Sequence, residues 1–226
     1  CNLNCAHCYR DQDHIENLTL NDIQTVCESI PISAIGFGTG ENGLNPEYAE
    51  IIEYLHSRKI KLSLASNGYT LSITPDDQLK YFSDVEFSVD FPDQQRQDRF
   101  RGSGNWQTIM QGIERCCELD IRVSILAVLM NLNYPDLGEI ARLAASFGAD
   151  FRVNVYQPMY THEFMPSFDQ YWQAFNILFE DCEIISVSEP LVNTFLGHRF
   201  DEVCSDVVIL VGVSVKVIGH RVRLCI

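Results

Sequence analysis

Strand-like and helix-like runs take turns along this chain as far as Glu180. Ala34 to Phe37, Lys61 to Ala65, Val85 to Val89, Arg122 to Leu129 and Phe151 to Val155 read as short apolar strands. Between them, apolar residues recur at helical spacing. The first helix starts at Thr19, an N-cap with Asp22 placed for a capping box, and carries Ile23, Val26, Cys27 and Ile30. Further helices are expected over Pro46 to Arg58, Asp76 to Tyr81, Asn105 to Leu119, Asp136 to Phe147 and Ser167 to Glu180. Alternation of this kind means βαβ units and a parallel sheet. Its crossovers are right-handed. Cys27, on an apolar stripe, reads as core filler, as does Cys116 or Cys117 beside Ile109 and Ile113.

The chemistry is concentrated in the opening stretch Cys1-Asn2-Leu3-Asn4-Cys5-Ala6-His7-Cys8-Tyr9. Thiolates are soft ligands that select zinc or iron–sulfur clusters. Three thiolates on a four-iron cluster leave one iron without a protein ligand, and such an open position can take a cofactor or substrate. A closed zinc site is the competing reading. Structural zinc takes four ligands, often as C-x-x-C pairs, and no fourth Cys or second such pair lies near these three. No disulfide framework is expected of the nine cysteines: their number is odd, the chain is long and no signal peptide is expected. A reducing cytoplasm is the expected compartment.

Composition narrows the partners. The formal net charge is -15. A protein that grips RNA or DNA needs a basic footprint, so no nucleic-acid partner is expected. No apolar run reaches the length of about 18 residues that a membrane span needs. The hydrophobic share of 46% is enough to fill a sizeable core.

The spacing C-x-x-x-C-x-x-C resembles the motif of the radical S-adenosylmethionine enzymes, which usually carry an aromatic residue before the last Cys; His7 fills that slot here. The resemblance runs from Cys1 to about Pro158. It implies a partial (β/α)6 TIM-like barrel of parallel strands, with its first strand expected upstream of Cys1. In such barrels chemistry sits at the carboxyl ends of the strands. Cys1, Cys5 and Cys8 would hold a 4Fe–4S cluster, and S-adenosylmethionine would bind its open iron. Gly38-Thr39-Gly40-Glu41-Asn42 lies where the family carries Gly-Gly-Glu-Pro, with Thr39 and Asn42 as departures. By that match its carbonyls and carboxylate accept from the methionyl amino group. Ser66-Asn67-Gly68 resembles the family's Thr-Asn-Gly, and Ser88 with Asp90 its Ser-x-Asp. Gln97-Asp98-Arg99-Phe100-Arg101-Gly102 resembles a His-Asp-x-x-Arg-Gly segment, in which Arg101 would pair with the cofactor carboxylate. Asn133 and Tyr156, at later strand ends, are expected at the ribose and adenine.

The implied reaction uses an electron from an external donor such as a flavodoxin or ferredoxin. It cleaves S-adenosylmethionine to methionine and a 5′-deoxyadenosyl radical, which abstracts hydrogen from a substrate.

Residues 1–180 are expected to form the partial barrel and 181–226 the start of a β-rich SPASM or twitch-like extension. Cys204, Gly219 and Cys225 are spaced C-x14-G-x5-C, close to the opening of that extension, and Val207 to Val217 is β-rich. Cys204 and Cys225 are candidate ligands of an auxiliary iron–sulfur cluster; the competing reading is core or free cysteine. Cys182 is a candidate catalytic or ligand thiol, against a plain cysteine. These features point to an enzyme acting on a ribosomally made peptide, forming a crosslink, a thioether or an epimer. The alternatives are a cofactor-biosynthesis enzyme of the same family, acting on a small molecule on the way to haem or a quinone, and a non-catalytic iron–sulfur electron carrier or zinc protein.

Overall fold

A computed structural model describes residues 1–10, 15–181, 183–186 and 212–216. It divides into two compact units, Cys1–Ser88 with Asp93–Ser124, and Val89–Pro92 with Ile125–Ile226. The expected boundary at 180 falls inside the second unit.

In the first unit, α1 (Leu20–Ser29) starts where the sequence predicts. The Asp22 amide donates to Thr19 Oγ1 at 3.1 Å and the Thr19 amide donates to Asp22 Oδ2 at 2.9 Å. Both orphan donors of the helix start are thereby satisfied. The hydrogen bonds from Thr19 pull the Asp22 carboxyl below its ordinary pKa. Strand β1 (Ala34–Phe37) leads through a turn of 3-10 helix at Asn42–Leu44 into α2 (Tyr48–Ser57), which buries Tyr48, Ile51, Ile52 and Leu55. Strand β2 (Lys61–Ser66) follows, then two short helices, α3 (Tyr69–Ile73) and α4 (Asp76–Leu79), and strand β3 (Phe82–Ser88). β1 is parallel to β2, with Ala34 opposite Lys61 and Phe37 opposite Leu64. β2 is parallel to β3, with Ser66 opposite Phe87. The buried faces of β2 and β3 supply Leu62, Leu64, Val85 and Phe87 to a core closed by Ile109, Ile113 and Cys116.

Two helices were not expected as they stand. α3 begins directly after Gly68, whose φ of +97° is open to glycine and disfavoured for side chains. α5 (Gln94–Arg101) is almost wholly polar, so no apolar period marks it. Its Asp93 cap explains it, accepting from the Arg96 amide at 2.9 Å. α6 (Asn105–Glu118) then packs Ile109, Ile113 and Cys116 inward and leaves Cys117 exposed.

Strand β4 (Arg122–Leu129) starts in the first unit and continues in the second. There, α7 (Leu137–Ser146), β5 (Asp150–Val155) and α8 (Phe168–Asp181) continue the alternation. Their core holds Leu129, Ile140, Phe151 and Phe175. The backbone of β6 (Glu183–Ser186) and β7 (Gly212–Lys216) adds antiparallel strands, β7 pairing with both β5 and β6. The architecture is α/β, in agreement with the expected partial barrel. Among the described residues, no helix is long and apolar enough to cross a membrane.

Candidate functional site

The cysteine loop folds on itself through one backbone hydrogen bond, from the Cys8 amide to the Cys5 carbonyl at 3.0 Å. Cys5 is buried; Cys1 and Cys8 are half-buried. Three other segments of the first unit close around the loop. Tyr9 Oη lies 3.3 Å from Thr39 Oγ1, beyond the end of β1. Asn67, beyond the end of β2, donates from Nδ2 to Cys1 Sγ at 3.6 Å and to Asn2 Oδ1 at 2.8 Å. From α5, the Arg101 carbonyl stands 3.9 Å from Cys5 Sγ, and its guanidinium lies 3.4 Å from His7 Nε2. The His7 ring lies 4.9 Å from Phe100, centroid to centroid. Thus Thr39, Asn67 and Arg101, distant in sequence, all reach the cysteine loop, Thr39 through Tyr9, Asn67 through Cys1 and Asn2, and Arg101 through Cys5 and His7.

The Gly38–Glu41 turn divides into an open half and an inward half. A Cβ on Gly38 would meet nothing within 4 Å, and Gly40 has φ +82°. Thr39 is exposed. Glu41, by contrast, is only 4% exposed and its carboxylate points into the protein. It accepts from Ser66 Oγ at 2.5 Å, the Asn67 amide at 2.9 Å, the Thr70 amide at 2.8 Å and the Thr70 hydroxyl. The carboxylate therefore ties the β2–α3 turn to the β1 turn.

A second buried chain of amides supports the same turn. Gln97, fully buried, donates from Nε2 to the Ser88 carbonyl at 3.1 Å and to Asn105 Oδ1 at 2.9 Å. Asn105 Nδ2 donates to the Asn67 carbonyl at 3.0 Å. Asp98 accepts from the Gly104 and Trp106 amides at 3.1 and 2.7 Å, fastening the start of α6. Thr70, Asn105 and Asn2 were not singled out from the sequence. A polar residue at a helix start reads as a cap, and only its distant partners reveal another duty.

The later candidates lie in the second unit. Asp90 is fully buried; its Oδ1 accepts from the Val128 amide at 2.9 Å. Asn133, also fully buried, accepts from the Met130 amide at 2.8 Å and donates to the Asp90 and Val128 carbonyls at 2.9 Å each. Tyr156 donates its hydroxyl to the Thr161 carbonyl at 2.8 Å and meets Phe164 edge-on. These polar atoms are engaged with backbone and hold the ends of β4 and β5. Cys182, Cys204 and Cys225 lie outside the described residues.

The three thiols fit an iron–sulfur cluster by donor chemistry. The set is all sulfur, a turn links Cys5 to Cys8, and a side-chain N–H is directed at the Cys1 sulfur. Among the described residues, no three His, Cys, Asp or Glu side chains are grouped to hold a single metal ion. A four-iron cluster takes its thiolates on different irons, so they stand around it and need not meet at a point. Cys27 and Cys116 are buried in α1 and α6. Burial pushes the Cys116 thiol up to about 12, far from a ligand thiolate.

The parallel strands β1 to β3, with a three-thiol loop held at the turns that follow them, fit an iron–sulfur protein of partial-barrel type. The family model of the radical SAM superfamily matches residues 1–144, and the chain belongs to that superfamily. Its members bind a 4Fe–4S cluster and S-adenosylmethionine. The mycofactocin maturase MftC of Mycobacterium tuberculosis (strain CDC 1551 / Oshkosh) is 26% identical over 168 residues, covering 70% of this chain and 42% of that protein. The chain thus spans less than half of that relative. Among solved structures, TYW1 with a lysine-pyruvate adduct bound superposes with a TM-score of 0.63 at 16% identity, over 99% of this chain and 78% of that one. Streptococcus suis SuiB bound to precursor peptide SuiA gives 0.61 at 14% identity, over 79% and 44%. These two likenesses show the fold.

Proposed function

We propose that this chain is the S-adenosylmethionine-cleaving part of a radical enzyme that modifies a ribosomally made peptide. The observation that carries the reading is that Thr39, Asn67 and Arg101 all reach the loop carrying Cys1, Cys5 and Cys8 within one compact unit. Cys1, Cys5 and Cys8 hold the cluster. When bound, the cluster supplies the electron that cleaves the sulfonium of S-adenosylmethionine to methionine and a 5′-deoxyadenosyl radical.

The residues of the chain bind and orient. The open backbone of Gly38, Thr39 and Gly40 accepts from the methionyl amino group. Glu41 acts one step back, since its carboxylate is already filled by Ser66, Asn67 and Thr70. The Arg101 guanidinium pairs with the methionyl carboxylate, which suits its planar fork. His7, set between Arg101 and Phe100, walls the loop. Ser88 lies at the end of β3 and receives Gln97 on its carbonyl. Asp90, Asn133 and Tyr156 act as frame within the second unit, each bonded to backbone there.

The peptide substrate is supported by the net charge of -15, which disfavours a polyanion, and by the peptide carried by SuiB. An external flavodoxin or ferredoxin delivers the electron. Residues 1–180 serve as the barrel part and 181–226 open a C-terminal extension, with Cys204 and Cys225 as auxiliary-cluster ligands and Cys182 as a substrate-side thiol.

The test is anaerobic reconstitution of the full-length protein with iron and sulfide. About four irons per chain, and 5′-deoxyadenosine after dithionite and S-adenosylmethionine, support the reading; about eight or more irons support the auxiliary cluster. Cys5→Ala and Cys8→Ala lose both the iron of this loop and the product. Zinc in place of iron, or a cluster without cleavage, moves the protein to the structural or electron-carrier class.

A further inference from the structure

The Asn67 amide is placed with more care than a strand-end turn requires. Its backbone N–H donates to Glu41 Oε2 at 2.9 Å, and its carbonyl accepts from Asn105 Nδ2 at 3.0 Å. Its side-chain oxygen accepts from the Tyr69 amide at 3.0 Å. A backbone N–H only donates, so this last bond settles which end of the side-chain amide is oxygen. The NH2 end is therefore the one that faces Asn2 Oδ1 at 2.8 Å and Cys1 Sγ at 3.6 Å. The residue is 7% exposed. Every polar atom of Asn67 is engaged, and the residue is gripped by three segments of chain. Behind it, the buried Gln97 holds Asn105 and is itself anchored on the Ser88 carbonyl.

We propose that Asn67 is a built-in hydrogen-bond donor to the Cys1 sulfur, and that it raises the reduction potential of the cluster held there. This rests on reading Cys1 as a cluster thiolate. Reduction by an external reductant adds one electron, and so one negative charge, to the cluster and its thiolates; no proton is taken up. An N–H dipole aimed at one of those sulfurs stabilises the more negative, reduced form more than the oxidised form. Hydrogen bonds to the sulfurs are among the protein's levers on such potentials. The fixed geometry matters, because a donor already in place needs no reorganisation when the charge arrives. Gln97 and Asn105 are positioning residues: they hold the Asn67 backbone carbonyl, and so the backbone from which the side chain reaches the sulfur, while the Tyr69 amide and Asn2 Oδ1 orient the side-chain amide itself.

The test is an EPR-monitored redox titration of the reconstituted full-length protein, wild type against Asn67→Asp and Asn67→Ala, with iron counted in each. Asp keeps the shape, removes the donor and turns an oxygen toward the sulfur. The expected result is full iron with the reduction equilibrium lowered about tenfold, which for one electron is 59 mV more negative. Asn105→Ala shifts the potential the same way by a smaller factor. An unchanged potential at full iron overturns the proposal and leaves the cluster reading intact. A wild-type protein that takes up no iron overturns both. Should the variants not fold, pulsed EPR of the reduced wild type made with amide-15N asparagine decides: a weak 15N coupling supports the bond, and no coupling overturns it.

Discussion

Replacing Glu41 with Ala removes the acceptor on which the β2–α3 turn is built. Four donors lose their partner: the amides of Asn67 and Thr70 and the hydroxyls of Ser66 and Thr70. The hydroxyls can rotate toward other acceptors; the amides cannot. Glu41 is 4% exposed, Asn67 7% and Thr70 fully buried, so water does not replace the carboxylate freely. A buried donor left unsatisfied costs about 1–3 kcal/mol. Two amides give roughly 2–6 kcal/mol, a large part of the usual total of about 5–15 kcal/mol. Urea denaturation of the full-length protein measures the loss, and amide hydrogen exchange at Asn67 and Thr70 locates it. Glu41→Gln should lose less, since it keeps one acceptor oxygen and the side-chain volume. A change below about 1 kcal/mol for Glu41→Ala, with exchange at both amides unaltered, would refute the inward-facing carboxylate. It would return Glu41 to the cofactor side of the turn.

Two further outcomes are expected. Cys116 is held neutral by burial, its pKa moving from 9.0 to about 12. The unfolded chain gives up this proton near pH 9.0 while the folded chain keeps it, so the contribution is whole below pH 9.0 and fades as pH rises toward about 12. Burial moves Tyr48 the same way, from 10.0 to about 12. Urea midpoints of the wild type should therefore fall above pH 9.0, with a shallower fall in Cys116→Ala; equal slopes would contradict the burial of this thiol. Gly68→Ala sets a Cβ 3.0 Å from the Thr108 backbone at φ +97°. The left-handed conformation alone costs about 1–2 kcal/mol, so a Tm equal to that of the wild type would mean that the turn differs.

How far the site was legible differs from residue to residue. The cysteine spacing and the Thr19–Asp22 capping box lie within a few positions, and both were found. Helix α5 is not legible in the sequence because an almost wholly polar segment carries no amphipathic period, although Asp93 stands ready as its cap. The sequence does not separate Cys116 from Cys117; the structure turns Cys116 inward with Ile109 and Ile113 and leaves Cys117 exposed. Glu41, Asp90 and Asn133 read in the sequence as contact residues for a cofactor. Their burial and backbone partners, which no local pattern carries, show that they also tie the strand ends.

The chain by itself determined what short-range physics writes into a window: the strand and helix alternation, the helix caps, and three soft ligands set close enough to act together. Tertiary structure alone decided where the polar groups point. Glu41 finds its partners 25 to 29 positions away, and Asn67 meets Cys1 across 66 positions. A buried polar side chain must be satisfied by whatever the fold brings beside it, and that neighbour is set by the packing of strands and helices. Residue type and local spacing carry no record of it.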